Sequence, residues 1–156
     1  MAQNSNTKPT QIDPRGPRFG ATIINVLSVV IFFFATDKST EATGAVLFGV
    51  AAVLFAIGAI FGNTRHPFGW LFRTLVRPRL APPKELEDSR PPQFAQAVGL
   101  FVSLVGLALF FAAVPFGLAI AAAALFVASF LQAYVGYCMG CQIYLGLKRL
   151  GVIRSA

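Results

Sequence analysis

The residues whose types and spacing allow chemistry are two cysteines, Cys138 and Cys141, the only cysteines in the chain. Two thiols separated by two residues exchange between dithiol and disulfide, because attack and resolution take place within one turn of chain. A thiolate in such a pair also holds a persulfide that its neighbour resolves. The spacing therefore indicates a candidate catalytic thiol pair. Apolar packing of two small side chains remains the alternative.

The sequence offers little support for other active sites. Zinc usually needs four ligands, whereas the chain has two cysteines and one histidine, His66, so a full site would need a second copy or other ligand types. Pro67 and the loop position disfavour haem ligation by His66. A structural disulfide is not expected in a reducing cytoplasm. P-loop, HExxH and serine-triad patterns are missing, and we predict no metal and no cofactor.

The elements that position the pair are predicted from the placement of charge. Asp, Glu, Lys and Arg do not occur in residues 19–36, 42–64 and 91–147, although 12% of the chain is charged. A helix needs about 20 apolar residues to cross a bilayer. The third run is long enough for two spans, with a turn at Pro115 and Gly117. We predict an all-α membrane protein, a four-transmembrane-helix bundle with spans at about residues 19–35, 43–62, 94–114 and 116–137, the last helix extending to about 147.

Basic residues predict the orientation of the bundle. Twelve of the 13 Lys and Arg residues lie in the N-terminal arm (1–18), the central loop or the tail (148–156). Short loops rich in Lys and Arg face the cytoplasm, so we expect both termini there and residues 19–147 as one membrane domain. The net charge of +7 favours contact with the lipid bilayer and its anionic headgroups over nucleic acid.

The central loop contains a pattern typical of a short interfacial amphipathic helix, residues 67–77. Pro67 suits a first helical position. An apolar face then recurs at helical spacing, while arginines occupy another face. Such a helix lies in the cytoplasmic headgroup region or packs on the bundle ends, and both arrangements are compatible. The predicted lipid-interface residues are Trp70, Arg73, Arg77 and Arg79. In the arm, Asp13 either pairs with a basic residue of this loop or is a solvated acid.

Small residues in the spans predict close helix packing. A stripe on the fourth span recurs every four residues, and the second span has its own GxxxG pair; these positions are Ala124, Ala128, Gln132, Gly136, Gly140, Gly58 and Gly62. Such surfaces are also compatible with a homo-oligomer. Asn25 and Gln132 are expected to hydrogen-bond between helices or to contact a ligand such as a quinone headgroup. On a continuous helix, both cysteines share a face with Tyr134 and Leu145, opposite the stripe.

Four blocks carry a resemblance to a known family: IDPRGPRFG (12–20), GWLFR (69–73), VRPRL (76–80) and CMGCQIY (138–144), the last with the pattern CxGCxxY. Over nearly its whole length, the chain resembles a family of small actinobacterial membrane proteins that share a domain of unknown function. The resemblance implies four helices in a bacterial plasma membrane and no established activity. It also implies a cytoplasmic partner of the thioredoxin-like or sulfurtransferase type.

Three functions stay open on the sequence. The first is a thiol redox or sulfur-relay protein, in which Cys138 and Cys141 exchange electrons or sulfur with the cytoplasmic partner, and Tyr134, Tyr137 and Tyr144 shape the surrounding surface. The second is a non-enzymatic membrane scaffold or accessory subunit that binds a partner through its small-residue stripes. The third is a quinone-linked thiol oxidoreductase, by fold-level analogy with other four-helix membrane bundles that bear CxxC.

Overall fold

Four long apolar helices form the body of the protein in the computed structural model, which describes residues 10–153. Each is long and apolar enough to cross a membrane. The prediction of an all-α, four-span membrane fold is confirmed. The first nine residues of the predicted arm and the last three of the tail lie outside the described residues. The four helices are α1 (Arg15–Thr36), α2 (Glu41–Phe61), α4 (Arg90–Phe111) and α5 (Gly117–Phe130), the last continued by a π-helical turn (Leu131–Val135).

The four helices surround one core. α1 packs on α2 and α5, and α4 completes the ring against the same two helices. Phe48, Ile31 and Leu118 are fully buried at the centre. Large apolar side chains also cover the outside, where Phe111 is 80% exposed. An exposed apolar surface of this extent fits a lipid environment, in which the solvent is itself apolar.

One end of the bundle, called the basic end below, carries the starts of α1 and α4 and the ends of α2 and α5. A two-residue strand of the arm, β1 (Gln11–Ile12), pairs antiparallel there with β2 (Glu87–Asp88) of the central loop. The N–H of Ser89 donates to the carbonyl of Thr10 at 3.0 Å and extends this pairing. The arm and the central loop therefore form one layer over the basic end.

The predicted interfacial helix is helical throughout but changes type along its length. It begins as α3 (Pro67–Leu71), continues as a π-helical turn (Phe72–Val76) and ends in a 3₁₀ turn (Arg77–Arg79). Phe72 is buried, with its ring 5.9 Å from the ring of Phe19 on α1. Leu75, three residues after Phe72 and at the same helical spacing, is 52% exposed. The segment thus packs on the bundle through Phe72 and the partly buried Phe68 and leaves other apolar side chains outward.

The opposite end of the bundle holds two short connections. α1 and α2 are joined by the turn at residues 37–40. α4 and α5 are joined around Pro115, where Ala113 and Phe116 adopt positive φ values of 54° and 57°. The turn predicted inside the long apolar run is therefore confirmed.

The prediction that the fourth helix extends unbroken to about residue 147 is wrong. Gly136 ends the π-helical turn with φ 76° and ψ 15°, and a separate helix, α6 (Met139–Arg149), begins three residues later. A left-handed glycine is a common way to end a helix. The guanidinium of Arg18 lies where a side chain at Gly136 would stand. Periodicity alone did not reveal this break, because the apolar pattern runs on through it.

α6 turns back onto the start of α4. The rings of Tyr144 and Phe94 lie 5.7 Å apart. Gly140 packs so closely on Ala95 that an added Cβ would stand 2.6 Å from the Ala95 Cβ. The cysteine motif is therefore held by a helix that leaves the bundle axis and rests against its side.

A small-residue face of α4 controls how closely the four helices approach. Gly99, Ser103 and Gly106 are buried on this face. A Cβ at Gly106 would collide with the ring of Phe48 and stand 2.7 Å from the Cβ of Ala121. Small residues at such contacts let helix backbones pack in lipid, although these positions form no GxxxG motif.

We expect Gly106→Ala to lower the unfolding temperature in mild detergent, because overpacking a close contact typically costs about 1–3 kcal/mol. Gly49→Ala is the matched control, since a Cβ at that helical position has open space. The control should be neutral or stabilising. Equal unfolding temperatures for the two variants would contradict the close contact at Gly106.

Candidate functional site

The two cysteines lie at the N-terminus of α6 and are joined by a disulfide. Their Cα atoms are 5.1 Å apart, within the usual range of about 4.4–6.8 Å. Cys138 is the N-cap residue with an extended backbone, and the N–H of Cys141 donates to the Cys138 Sγ at 3.2 Å. Both residues are partly exposed. The pair is thus at the start of a helix and accessible, not embedded in the middle of one.

This position makes the two sulfurs unequal. The first N–H groups of a helix lack intrahelical partners, and the helix dipole favours negative charge there. The Cys138 sulfur accepts the Cys141 N–H at this helix terminus, so the position favours negative charge on the Cys138 sulfur over the Cys141 sulfur.

The prediction that both cysteines share one helical face with Tyr134 and Leu145, opposite a continuous small-residue stripe, is wrong, because the chain changes direction at Gly136. Gly136 itself is exposed and lies against Arg18, whereas Gly140 is buried against α4. On α2, Gly58 makes room for the side chain of Gln96, and Gly62 ends the helix with φ 76°.

A cavity of about 660 Å³ lies inside the basic end, next to the cysteine pair. Met139 and Gly140, the two residues between the cysteines, form part of its wall. The remaining stripe positions of the fourth span, Ala124, Ala128 and Gln132, also line it. Val102 on α4 lies twelve residues from the helix start, so the cavity reaches about 18 Å along the helix axis.

The polar lining of the cavity is dominated by neutral side chains. The amides of Asn63, Gln96 and Gln132 and the hydroxyl of Ser129 lie along it. The Asn63 Nδ2 is buried and has no hydrogen-bond partner within the described residues. An amide offers both donors and an acceptor. The cavity can therefore bind a ligand that carries uncharged hydrogen-bonding groups.

Asn25 has the interhelical role that the sequence predicted. Its Nδ2 donates to the carbonyl of Phe126 and to the Oγ of Ser129, each at 3.2 Å, and so joins α1 to α5. Gln132 lies in the π-helical turn and faces the cavity. π-helical turns are frequent at functional sites, and the ligand-contact role of Gln132 stays a prediction.

Charged groups are confined to the mouth of the cavity. Asp13 is buried there and forms a bidentate ion pair with Arg15, with nitrogen–oxygen distances of 3.0 and 2.9 Å. This hydrogen bonding by Arg15 holds the pKa of Asp13 below its usual value. Arg15 also donates to the carbonyl of Ala81 at 2.9 Å. Asp13 is thus neither a solvated acid nor the direct ion-pair partner of a central-loop residue.

The four predicted lipid-interface residues lie on the outer surface of the helical segment 67–79, which begins with α3 and is called the α3 segment below. Trp70 is 60% exposed, and the arginines are exposed as well. Arg73 donates to the carbonyl of Thr64, and Arg79 donates to the carbonyl of Leu75 at 2.9 Å. Arg73 and Arg77 also reach the cavity mouth. Their contact with lipid headgroups stays a prediction.

His66 has a structural role in capping α3. Its Nδ1 accepts the N–H of Phe68 at 3.1 Å, so its Nε2 carries the proton and donates to the carbonyl of Leu54 at 3.0 Å. Both ring nitrogens are therefore used within the protein. Burial lowers the pKa of His66 below its usual value. Within residues 10–153, His, Cys, Asp and Glu form no group of three that could hold a metal ion.

The fold and the cysteine pair define a class: a multi-pass α-helical membrane protein with a CxxC motif at the start of a short C-terminal helix. Residues 12–149 match the family model described as "Domain of unknown function (DUF4395)", and the chain belongs to this family. The match includes both cysteines and all four long helices in full. No curated protein and no solved structure matches the chain.

The sequence did not reveal most of the cavity. Gln132 was singled out because it is polar and deep in a span, but Asn63, Gln96 and Ser129 were not. Gln93 and Gln96 carry the missed signal, since two amides three residues apart fall on one face of the third span. Gln93 donates to the carbonyl of Ala59 at 2.8 Å, whereas Gln96 lines the cavity.

Replacing Gly136 tests whether the helix break positions the cysteines. We expect Gly136→Ala to lower the unfolding temperature and to change the fraction of disulfide formed in a fixed thiol buffer. A non-glycine residue in this conformation costs about 1–2 kcal/mol, and the new methyl group also displaces Arg18.

Gly151→Ala is the control for this variant. Gly151 has nearly the same φ, 74°, but a Cβ there has open space. Gly151→Ala should lower the unfolding temperature only through the cost of a left-handed non-glycine backbone, and it should leave the fraction of disulfide formed unchanged. If the two variants behave alike, the contact between Gly136 and Arg18 does not position the pair.

His66 should make the free energy of unfolding depend on pH. It is the only histidine in the chain, so the effect of histidine titration can be assigned to one residue. Its pKa is lower in the folded than in the unfolded protein, so the unfolded state binds more protons below the usual value of 6.5. The histidine-linked stability should be fully present above about pH 6.5 and be lost as the pH falls towards the native pKa. Thermal unfolding in mild detergent between about pH 5 and 8 measures this. His66→Asn should show a shallower decline over that interval, and an equal decline would assign the effect to other groups.

Proposed function

We propose that the protein is a membrane thiol–disulfide exchange protein in which Cys138 and Cys141 react with a cytoplasmic partner. One observation carries this proposal: the two sulfurs are at bonding distance at the N-terminus of α6, partly exposed. Two packing cysteines need neither proximity to each other nor a helix N-terminus. A pair that switches between dithiol and disulfide needs both, together with access for a second protein.

The exchange follows from the unequal positions of the sulfurs. The Cys138 thiolate attacks a disulfide of the partner, forms a mixed disulfide and releases one partner thiolate. The Cys141 thiolate then attacks the Cys138 Sγ, which breaks the mixed bond and releases the second partner thiolate. Two electrons pass to the partner, and the pair becomes the disulfide seen in the structure. The same steps in reverse oxidise a partner dithiol.

A sulfur relay would use the same two positions. The Cys138 thiolate attacks the terminal sulfur of a partner persulfide, and the partner thiolate leaves. The Cys141 thiolate then attacks the Cys138 Sγ, so that hydrosulfide leaves and the disulfide forms. The two forms of the proposal differ in the partner, which is thioredoxin-like for electron exchange and of the sulfurtransferase type for sulfur transfer.

The distribution of charge supports a cytoplasmic position for the pair in a bacterial plasma membrane. The cysteines lie at the basic end, together with the arginines of α1 and the α3 segment and with Lys148 and Arg149 of α6. The opposite end has one basic residue, Lys38, beside Asp37. Positively charged loops favour the cytoplasmic side, so a soluble cytoplasmic protein can reach α6.

Single serine variants should separate the roles of the two cysteines. Cys141→Ser keeps the attacking thiol and removes the resolving one, so we expect it to accumulate a mixed disulfide with a partner in cells. Cys138→Ser is the matched control and should accumulate far less. Non-reducing gels after acid quenching and alkylation, followed by mass spectrometry of the adduct, measure this.

Three outcomes would count against this function. Equal adducts from the two single variants would remove the assigned roles. A stoichiometric partner that co-purifies equally well with the double-serine protein would favour a scaffold or accessory subunit. Labelling of reduced Cys138 or Cys141 in intact cells by a membrane-impermeant maleimide, added from outside, would place the pair on the wrong side of the membrane.

A further inference from the structure

The exchange function leaves the cavity unused. Its volume of about 660 Å³ falls within the range of small-molecule sites, about 300–1,000 Å³. It shares a wall with the cysteine pair through Met139 and Gly140. A ligand in this cavity would therefore lie against the turn that holds the two sulfurs.

The lining changes in chemical character along the cavity. Asp13, Arg73 and Arg77 lie at the mouth, the amides of Gln96 and Gln132 come next, and the floor is apolar. Gln96 lies six residues, and Val102 twelve residues, from the start of α4, or about 9 and 18 Å along the axis. An anionic lipid headgroup matches the mouth alone. The middle and the floor instead match an amphiphile with uncharged polar atoms and an apolar tail.

The cysteine pair and the amide side chains of Gln96 and Gln132 further restrict the chemical class of the ligand. When a cytoplasmic dithiol reduces the disulfide, the reduced pair needs an acceptor for two electrons and two protons before the disulfide can form again. An acceptor that reaches the cavity through the bilayer must be soluble in lipid. Carbonyl oxygens on a flat ring would accept hydrogen bonds from amide N–H groups on two neighbouring helices, since Gln96 lies on α4 and Gln132 follows α5.

We propose that the cavity binds a lipid-soluble quinone, with its carbonyl oxygens at Gln96 and Gln132 and its tail towards the apolar floor. This inference rests on the proposed function, because the quinone is the oxidant of the reduced cysteine pair. Two S–H bonds break, the Cys138–Cys141 bond forms, and two electrons and two protons convert the quinone to its hydroquinone. A cytoplasmic dithiol then reduces the disulfide again. The protein would thus pass electrons from soluble thiols to the membrane.

Binding is tested on the full chain in lipid nanodiscs with decylubiquinone and menadione as probes. Trp70 is the only tryptophan and adjoins Gly69, which lines the cavity, so quenching of its fluorescence reports occupancy. Gln132→Leu should weaken binding about three- to tenfold through the lost hydrogen bond. Ala128→Phe should abolish saturable quenching by filling the cavity.

Two controls match these variants. Gln142→Leu removes an exposed amide outside the cavity, and Ala108→Phe adds a ring on an exposed face of α4. Both should bind the probes like the unaltered protein. If Ala128→Phe and Ala108→Phe are quenched alike, the probes only partition into lipid and the site does not exist. Displacement of the probe by glycerol monooleate as readily as by a second quinone would make the cavity a general lipid site and overturn the quinone assignment.

Electron transfer has a separate readout. Hydroquinone formation by the reduced protein is followed by absorbance, and the double-serine protein should bind the probe but form none. Saturable binding without hydroquinone formation by the reduced unaltered protein overturns the electron step. If reduced thioredoxin, used as the dithiol probe, fails to reduce the Cys138–Cys141 disulfide while quinone binding and hydroquinone formation persist, the cytoplasmic exchange is wrong and the quinone site stands.

Discussion

The left-handed backbone of Gly136 sets the arrangement of the whole candidate site. The fourth span ends there, because a left-handed residue does not continue a right-handed helix, and the Arg18 guanidinium occupies the space beside the Gly136 Cα. Both N–H groups that follow the π-helical turn, those of Gly136 and Tyr137, donate to the carbonyl of Leu131, so the break leaves no donor unpaired at this point. A new helix can then begin at Met139. The cysteines become its first turn and not the last turn of a membrane span.

That change of direction alters the chemistry of the motif. In an unbroken helix, the N–H of Cys141 would donate to the carbonyl of Tyr137, and neither sulfur would meet a helix terminus. At the start of α6, the same N–H instead donates to the Cys138 Sγ. One residue conformation, outside the CxxC motif, therefore places the Cys138 sulfur at the helix terminus. The spacing of the cysteines is compatible with exchange chemistry, and the helix break gives the two sulfurs the unequal positions on which the proposed exchange rests.

The sequence predicted those features that depend on the bilayer as a solvent. Charge-free runs indicated four spans because an ionised side chain in hydrocarbon costs several kcal/mol, roughly 2.5–3.5 by insertion scales. Asn25 was predicted to bond between helices for a similar reason. Features that depend on one backbone conformation or on the tertiary arrangement were missed: the break at Gly136, the change of helix type after Leu71, and the role of Gln96. Periodicity describes which face a residue occupies, but it does not show whether that face meets another helix or an empty space.

The stripe on the fourth span shows the consequence of that difference. Ala124 and Ala128 are small and regularly spaced, which predicted a tight contact, yet they line the cavity. Small side chains allow two helices to pack closely only where a second helix lies beside them. Beside Ala124 and Ala128 there is empty space, and their small size adds to the volume of the cavity. Close packing is carried by Gly99 and Gly106 on α4, against α2 and α5. The bundle is thus tight towards its middle and open at the basic end, where the cavity lies beside Met139 and Gly140 of the cysteine motif.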